Sequence, residues 1–175
     1  MKESNGTVYW ITGLSGAGKT TIGTLLYQAL RQTRPVILLD GDALRTIYGD
    51  DSGYSRSDRQ RVAMRNARMC SFLAQQGMDV VCCTISMFHA VHAWNRAHIG
   101  RYREIYLSVS PVVLYQRDQK GLYSGVQNGK LQNVMGMDLE FEAPLHPHLT
   151  IENNGDHTPD QVLQELLEGL HRLED

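Results

Sequence analysis

The segment Gly13-Leu14-Ser15-Gly16-Ala17-Gly18-Lys19-Thr20 limits what this chain can be more than any other stretch of it. It fits G-x-x-x-x-G-K-[ST], and it lies between a strand candidate over 7–12 and a helical pattern that begins at Lys19, the context this pattern requires. A glycine-rich turn from strand to helix lines up successive backbone N–H groups as a concave nest, and the following helix adds the positive end of its dipole. The expected ligand is therefore the β- and γ-phosphates of a nucleotide. Gly13, Ser15, Gly16, Ala17 and Gly18 form the expected nest, with Thr21 just beyond it. Lys19 is expected to reach the phosphates as a point charge and Thr20 to offer its hydroxyl to Mg²⁺.

Around this loop strand-like and helix-like stretches alternate, the pattern of a parallel sheet covered on both faces. Strands are expected over 7–12, 36–39, 79–85, 104–109 and, weakly marked, 149–152. The four-residue aliphatic run 36–39 reads as a strand buried on both sides. Helices are expected over 19–32, across Val62, Met69, Cys70 and Leu73 up to a C-cap at Gly77, over 88–99, and over 111–117 with proline in the first turn. The last helix is the best marked, with Thr158 as N-cap, Pro159 next and Gln161 completing a capping box. Residues 119–137 hold four glycines and little periodicity, and a long irregular stretch in a compact domain is usually functional. The expected architecture is thus α/β: one domain over 1–175, a five-stranded parallel sheet with helices on both faces, and a lid at about 118–137.

Composition narrows the function classes. Seventeen basic and 19 acidic side chains among 175 residues leave a net charge of −2, without the clustered basic excess of a nucleic-acid-coating surface. No apolar run approaches the ~18 residues of a membrane span, and residues 1–6 show no signal-peptide core, so a cytoplasmic protein is expected, with no membrane partner. Cys70, Cys82 and Cys83 read as buried thiols, the last two on opposite faces of a strand. The histidines read as solvent-facing or helix-end residues, and Met64, Met69, Met78 and Met87 as core filling.

A phosphate loop alone does not separate a kinase from a nucleotide-dependent switch, so the phosphoryl acceptor matters. Asp40-Gly41-Asp42 ends the second strand, expected to neighbour the first, beyond the carboxyl ends of the strands where ligands gather. One carboxylate can orient a water of the Mg²⁺ shell and the other can accept a hydroxyl proton; the residues leave open which does which. Arg45 follows in a helix start, and Arg56, Arg59, Arg61, Arg65 and Arg68 crowd a segment with only Asp58 as an acid. Some face solvent, and the rest can grip an anionic acceptor. The alternative class, a switch or regulatory module without a small-molecule acceptor, lacks a guanine-reading N-K-x-D here and leaves the arginines and the lid unexplained.

The strings G-L-S-G-A-G-K-T-T, L-D-G-D-x-L-R, G-Y-S-x-x-D-R, T-I-S, Q-R-D-Q-K-G-L-Y and N-V-M-G-M-D-L-E-F-E-A-P, in this order, closely resemble the adenylylsulfate kinases across all but the two ends of the chain. The resemblance implies a P-loop kinase fold, a homodimer, and transfer of the γ-phosphoryl of ATP, with Mg²⁺, to the ribose 3′-hydroxyl of adenylylsulfate. It puts Thr20 and Asp40 on the metal, Asp42 at the acceptor hydroxyl, and Arg45 and Arg59 on the acceptor's anionic bridge. It also puts Arg117, Asp118 and Lys120 on the mobile lid, and Ile85, Ser86 and Gly136 along the acceptor.

The departures from the pattern concentrate at the acceptor's base. Of the family's two phenylalanines that clamp adenine, the first corresponds to Tyr54 and the second to Val134, which cannot stack. Ala43 and Val62 replace asparagines, Met135 a threonine, and Met87-Phe88-His89 a P-Y-R or similar. A pocket that keeps its anion-binding arginines while losing an aromatic wall suggests a different base on a similar acceptor. T-I-S-M, M-C-S-F-L and N-V-x-G-x-D-L-E-F resemble the branch that phosphorylates cytidine diphosphoramidate in capsule modification. Adenylylsulfate and cytidine diphosphoramidate both stand as candidate acceptors at this point.

Overall fold

The computed structural model describes residues 5–49 and 53–174, so the opening residues 1–4 of the leader reading lie outside it. Five parallel strands, β1 (Val8–Thr12), β2 (Val36–Asp40), β3 (Asp79–Cys83), β4 (Tyr102–Ser108) and β5 (Leu149–Glu152), form one sheet in the order β2-β3-β1-β4-β5. The register pairs Val8 with Val80 on one side and with Tyr102 on the other, so β1 lies in the middle and delivers the phosphate loop to the sheet's centre.

Side-chain alternation along β1 divides the core in two. Val8 and Trp10 face one layer with α3 (Arg56–Gln75) and α4 (His89–His98); Tyr9 and Ile11 face the other with α1 (Lys19–Leu30) and α7 (Pro159–Arg172). Cys82 and Cys83 part in the same way, and all three cysteines are free and buried. Burial of each large apolar side chain on β1 stabilises the fold by about 1.5–3 kcal/mol. Helix α7 starts as its sequence requires: the Thr158 hydroxyl accepts from the Gln161 N–H at 3.3 Å and the Gln161 side chain accepts from the Thr158 N–H at 2.9 Å.

Several expectations need correction. Strand β2 is half-buried along its whole length because it is an edge strand, not one covered on both sides. Met69 is exposed: Ala63, Ala67, Cys70 and Ala74 define the buried face of α3, and Met69 sits about 100° off it. The 119–137 stretch is not irregular throughout, since a 3-10 turn at Gln119–Gly121 leads into helix α6 (Leu122–Gln127). Asp118, Lys120 and Gly121 all have positive φ there, so the chain turns sharply between α5 (Pro111–Arg117) and α6. The Asp118 carboxylate then accepts from the N–H groups of Tyr123 and Ser124, at 2.9 and 3.1 Å. Among the described residues no helix is long and apolar enough to cross a membrane.

Candidate active site

The loop between β1 and α1 needs glycine where the chain is tightest. Gly18 has φ +89°, and a side chain there would place Cβ 2.6 Å from the Asn153 amide; at Gly13 it would fall 2.6 Å from the Leu107 carbonyl oxygen. Four consecutive carbonyls of this loop are each held by a side-chain donor. Lys19 Nζ donates to Leu14 O at 2.8 Å, the Tyr123 hydroxyl to Ser15 O at 2.7 Å, Arg117 Nη1 to Gly16 O at 2.9 Å and Asn153 Nδ2 to Ala17 O at 2.9 Å. Arg117 also donates to Asn153 O at 2.8 Å, so α5 and the turn after β5 brace the loop together. Burial lowers the Lys19 ammonium from its usual 10.5 to about 8, against the pull of nearby Cys83, Asp40 and Asp42.

At the end of β2 the two carboxylates part. Asp40 caps α2 (Gly41–Tyr48), its Oδ1 accepting from the Asp42 N–H at 3.0 Å, while its Oδ2 accepts from the Thr20 hydroxyl at 2.7 Å. Asp42, exposed in the first turn of α2, pairs with Lys120 Nζ from the 3-10 turn after α5. One carboxylate therefore faces the phosphate loop and the other that turn. Thr20 and Asp40 are adjacent hard oxygen donors, the set that suits Mg²⁺ bound through one carboxylate and substrate phosphates, so the residues present fit that ion.

The opposite end of the cavity is built from α3, the end of β3 and the loop after α6. The Tyr54 ring is flanked by two guanidinium groups, Arg45 at 4.3 Å and Arg59 at 5.4 Å from its centroid. Arg45 Nη1 donates to Gly53 O at 2.9 Å, and Arg59 Nη2 to Asn133 O at 2.7 Å. Val134 and Met135 are buried, their loop pinned by Asp138, which accepts from the N–H groups of Asn133 and Val134 at 2.6 Å each. Ser86 has φ +21°, and its hydroxyl lies 2.6 Å from that of Thr84. His92 Nε2 meets Ser86 O at 3.1 Å, and the other ring nitrogen lies 3.7 Å from Glu104 of β4, which is fully buried and accepts from Arg96 and Tyr102 at 3.0 Å each. His92 is thus a buried support behind Ser86, not a solvent-facing histidine. Desolvation lowers its pKa, with Glu104 and the Ser86 carbonyl opposing.

One cavity of about 960 Å³ joins the two ends. Ser15, Gly16, Gly18, Lys19, Thr20, Thr21 and Arg117 line its phosphate end. Asp40, Asp42 and Lys120 lie at its middle; Arg45, Tyr54, Arg59, Ile85, Ser86 and Val134 line the remainder. Gly13, Ala17 and Gly136 shape the adjoining backbone without lining it; a Cβ on Gly136 would strike Leu14. Sequence reasoning missed Asn66, Tyr123, Asn153, Gly155 and His157. Asn153-Asn154-Gly155 is a polar turn beyond a strand's carboxyl end, a signal that could have found the phosphate-side members.

A phosphate loop at the centre of a parallel sheet, with paired carboxylates at the end of β2, separated from β1 by β3 rather than beside it as the sequence suggests, defines a P-loop kinase fold. More narrowly, the sequence pattern of the adenylylsulphate kinase family matches residues 5–152, and the chain belongs to that family. It is 43% identical to the cytidine diphosphoramidate kinase of Campylobacter jejuni over 153 residues, 87% of this chain and 89% of that one. It is 34% identical to the adenylyl-sulfate kinase of Gloeothece citriformis over 174 residues, 99% and 94% of the two chains. The structure of the Mycobacterium tuberculosis APS kinase in complex with AMPPNP and APS superposes with a TM-score of 0.87 at 30% identity, covering 95% of this chain and 98% of that one.

Proposed function

We propose that this chain is an ATP-dependent kinase that phosphorylates the ribose 3′-hydroxyl of cytidine diphosphoramidate. The observation that carries the choice of acceptor is the base end of the cavity, where buried Val62, Val134 and Met135 provide aliphatic and thioether walls and Tyr54 is the single aromatic ring from the family's clamp. An adenine would lose one of two stacking partners there, while Arg45 and Arg59 still suit a diphosphate-like anion. The higher identity to the cytidine diphosphoramidate kinase supports the same choice.

In this reading the loop amides, Lys19 and Arg117 hold the triphosphate and offset the charge that develops during transfer. Thr20 and Asp40 would hold Mg²⁺, which would supply Lewis-acid charge stabilisation. Asp42 accepts the proton of the 3′-hydroxyl as the bond from O3′ to the γ-phosphorus forms and the bond to the β–γ bridging oxygen breaks, releasing ADP. Its pairing with Lys120 links proton acceptance to lid position: when Lys120 turns to the phosphates, the carboxylate is freed for the hydroxyl. A homodimer acting in the cytoplasm completes the proposal, and sedimentation of the purified protein tests the assembly.

Competition between cytidine diphosphoramidate and adenylylsulfate at equal concentration, with ATP and Mg²⁺, is the deciding experiment. The cytidine acceptor is expected to be consumed first. If adenylylsulfate is consumed first, the acceptor reading falls and the kinase reading stands. Rapid ATP hydrolysis that neither acceptor alters would favour the switch class instead.

A further inference from the structure

Helix α3 presents Arg59, Val62 and Asn66 to the cavity at i, i+3 and i+7, one stripe on one face. From Arg59 to Asn66 the stripe rises about 10 Å, comparable to the separation in a nucleotide between its phosphates and the far edge of its base. Asn66, Thr84 and Ser86 are among the polar side chains that line the cavity. Thr84 and Ser86 satisfy each other through their hydroxyls at 2.6 Å. Asn66 does not share that arrangement: it is 1% exposed, and its amide oxygen has no hydrogen-bond partner. Val62, Val134 and Met135, which line the same cavity, offer it no side-chain polar atom beyond a weakly accepting thioether. A buried acceptor in such surroundings is costly to leave unmade, and in a binding cavity the natural partner is a donor on the ligand.

We infer that Asn66 reads the amino-bearing edge of the acceptor's base. Its amide oxygen accepts from the exocyclic amino group, and its amide nitrogen donates to the neighbouring ring nitrogen. Cytosine presents this pair at N4 and N3, and adenine at N6 and N1; uracil and hypoxanthine invert it, with a carbonyl in place of the amine and N–H in place of the bare nitrogen. With its amide held in this orientation Asn66 selects amino over oxo bases, because an amide turned over would pair with an oxo base instead; Val62, Val134 and Met135 select one ring over two. The inference rests on reading this end of the cavity as the acceptor site, and it deepens that reading by naming the side chain that recognises the base. A hydrogen-bonding site rejects an oxo analogue more strongly than an apolar wall rejects a change of size, because the analogue leaves buried polar groups unpaired.

The test measures kcat/KM with four acceptors: cytidine and uridine diphosphoramidate, and adenylylsulfate and its inosine counterpart. Wild type is expected to prefer each amino base over its oxo partner by at least tenfold. Asn66→Leu, close in volume, is expected to bring both ratios to within about twofold of unity while the KM for ATP stays within twofold. Amino-to-oxo ratios that Asn66→Leu leaves unchanged overturn the inference. So does a wild type that accepts uridine as readily as cytidine and inosine as readily as adenine, a measurement that does not depend on whether the variant folds. If wild type prefers adenylylsulfate to the cytidine acceptor yet loses its adenine-over-inosine ratio in Asn66→Leu, the cytidine proposal fails and the role of Asn66 stands. If wild type uses the cytidine acceptor and the variant keeps the cytidine-over-uridine ratio, the proposal stands and the role of Asn66 fails.

Discussion

Around the phosphate loop, four carbonyls in a row are tied down by Lys19, Tyr123, Arg117 and Asn153, residues drawn from three separate parts of the chain. At the other end of the same cavity the polar groups are arranged differently. Arg45 and Arg59 rest on loop carbonyls beside the Tyr54 ring, the walls include aliphatic Val62 and Val134 besides Met135 and the Phe88 ring, and the Asn66 amide oxygen is unpaired. In the proposed reading, the contrast teaches that the donor end is preorganised for one chemistry, a phosphate chain, whereas the acceptor end keeps its anion contacts and varies its base contacts. Changes at the donor end should therefore damage transfer to every acceptor alike, and changes at the acceptor end should alter the ratio between acceptors.

The largest effect is expected from Asp42→Asn, which removes the group proposed to take the hydroxyl proton: kcat should fall by about 10²–10⁴. ATP affinity, measured by calorimetry, should change little, because Asp42 pairs with Lys120 rather than with the phosphate loop. Full turnover in this variant would remove Asp42 from the chemistry. Lys19→Ala should lower kcat by roughly 10²–10³ with both acceptors equally, with melting close to wild type. A loss confined to one acceptor would break the division between the two ends.

Val134→Phe sharpens the comparison from the other side. Restoring a stacking wall is worth ~1–3 kcal/mol in nucleic-acid binders, so the preference should shift toward adenylylsulfate by about tenfold, read as a ratio of kcat/KM values. A ratio that stays put would mean that this wall does not set the choice of base. Tyr123→Phe deletes one hydrogen bond to the loop, worth about 1 kcal/mol, so ATP affinity should fall about fivefold with the acceptor ratio unchanged. A change in the ratio would show that the brace reaches the acceptor end.

The smallest effect concerns pH. Lys19 titrates at about 8 in the empty protein, and bound phosphates favour its charged form. Binding above pH 8 must therefore take up a proton, so ATP affinity should decline as pH rises past 8, by less than tenfold per unit. Calorimetry at pH 8.5 in buffers of different ionisation heat should detect that uptake. Binding heats independent of the buffer would mean that Lys19 stays charged in the empty loop.

The sequence by itself determined the parts whose signals are local in the chain. The loop over 13–20 was legible because its glycines, lysine and threonine must be contiguous to wrap a phosphate, and the capping box at Thr158 because its two hydrogen bonds span three residues. Alternating strand and helix patterns were enough for the five-stranded parallel sheet, since crossover connections leave few other topologies. Tertiary structure alone decided whatever depended on which segments meet. That β2 lies at an edge follows from pairing over long range, and the helix at 122–127 is stabilised by the Asp118 cap and by packing of Tyr123, which its weak periodicity does not announce. The separate roles open to Asp40 and Asp42 came from Thr20 and Lys120, one 20 residues before Asp40 and the other 78 after Asp42. Asn66 reads in sequence as one more polar residue on an amphipathic helix, and only the assembled fold makes its amide oxygen a buried, unpaired acceptor. Burial is a property of the assembled fold, and a polar atom gains or loses its water only when that fold closes around it.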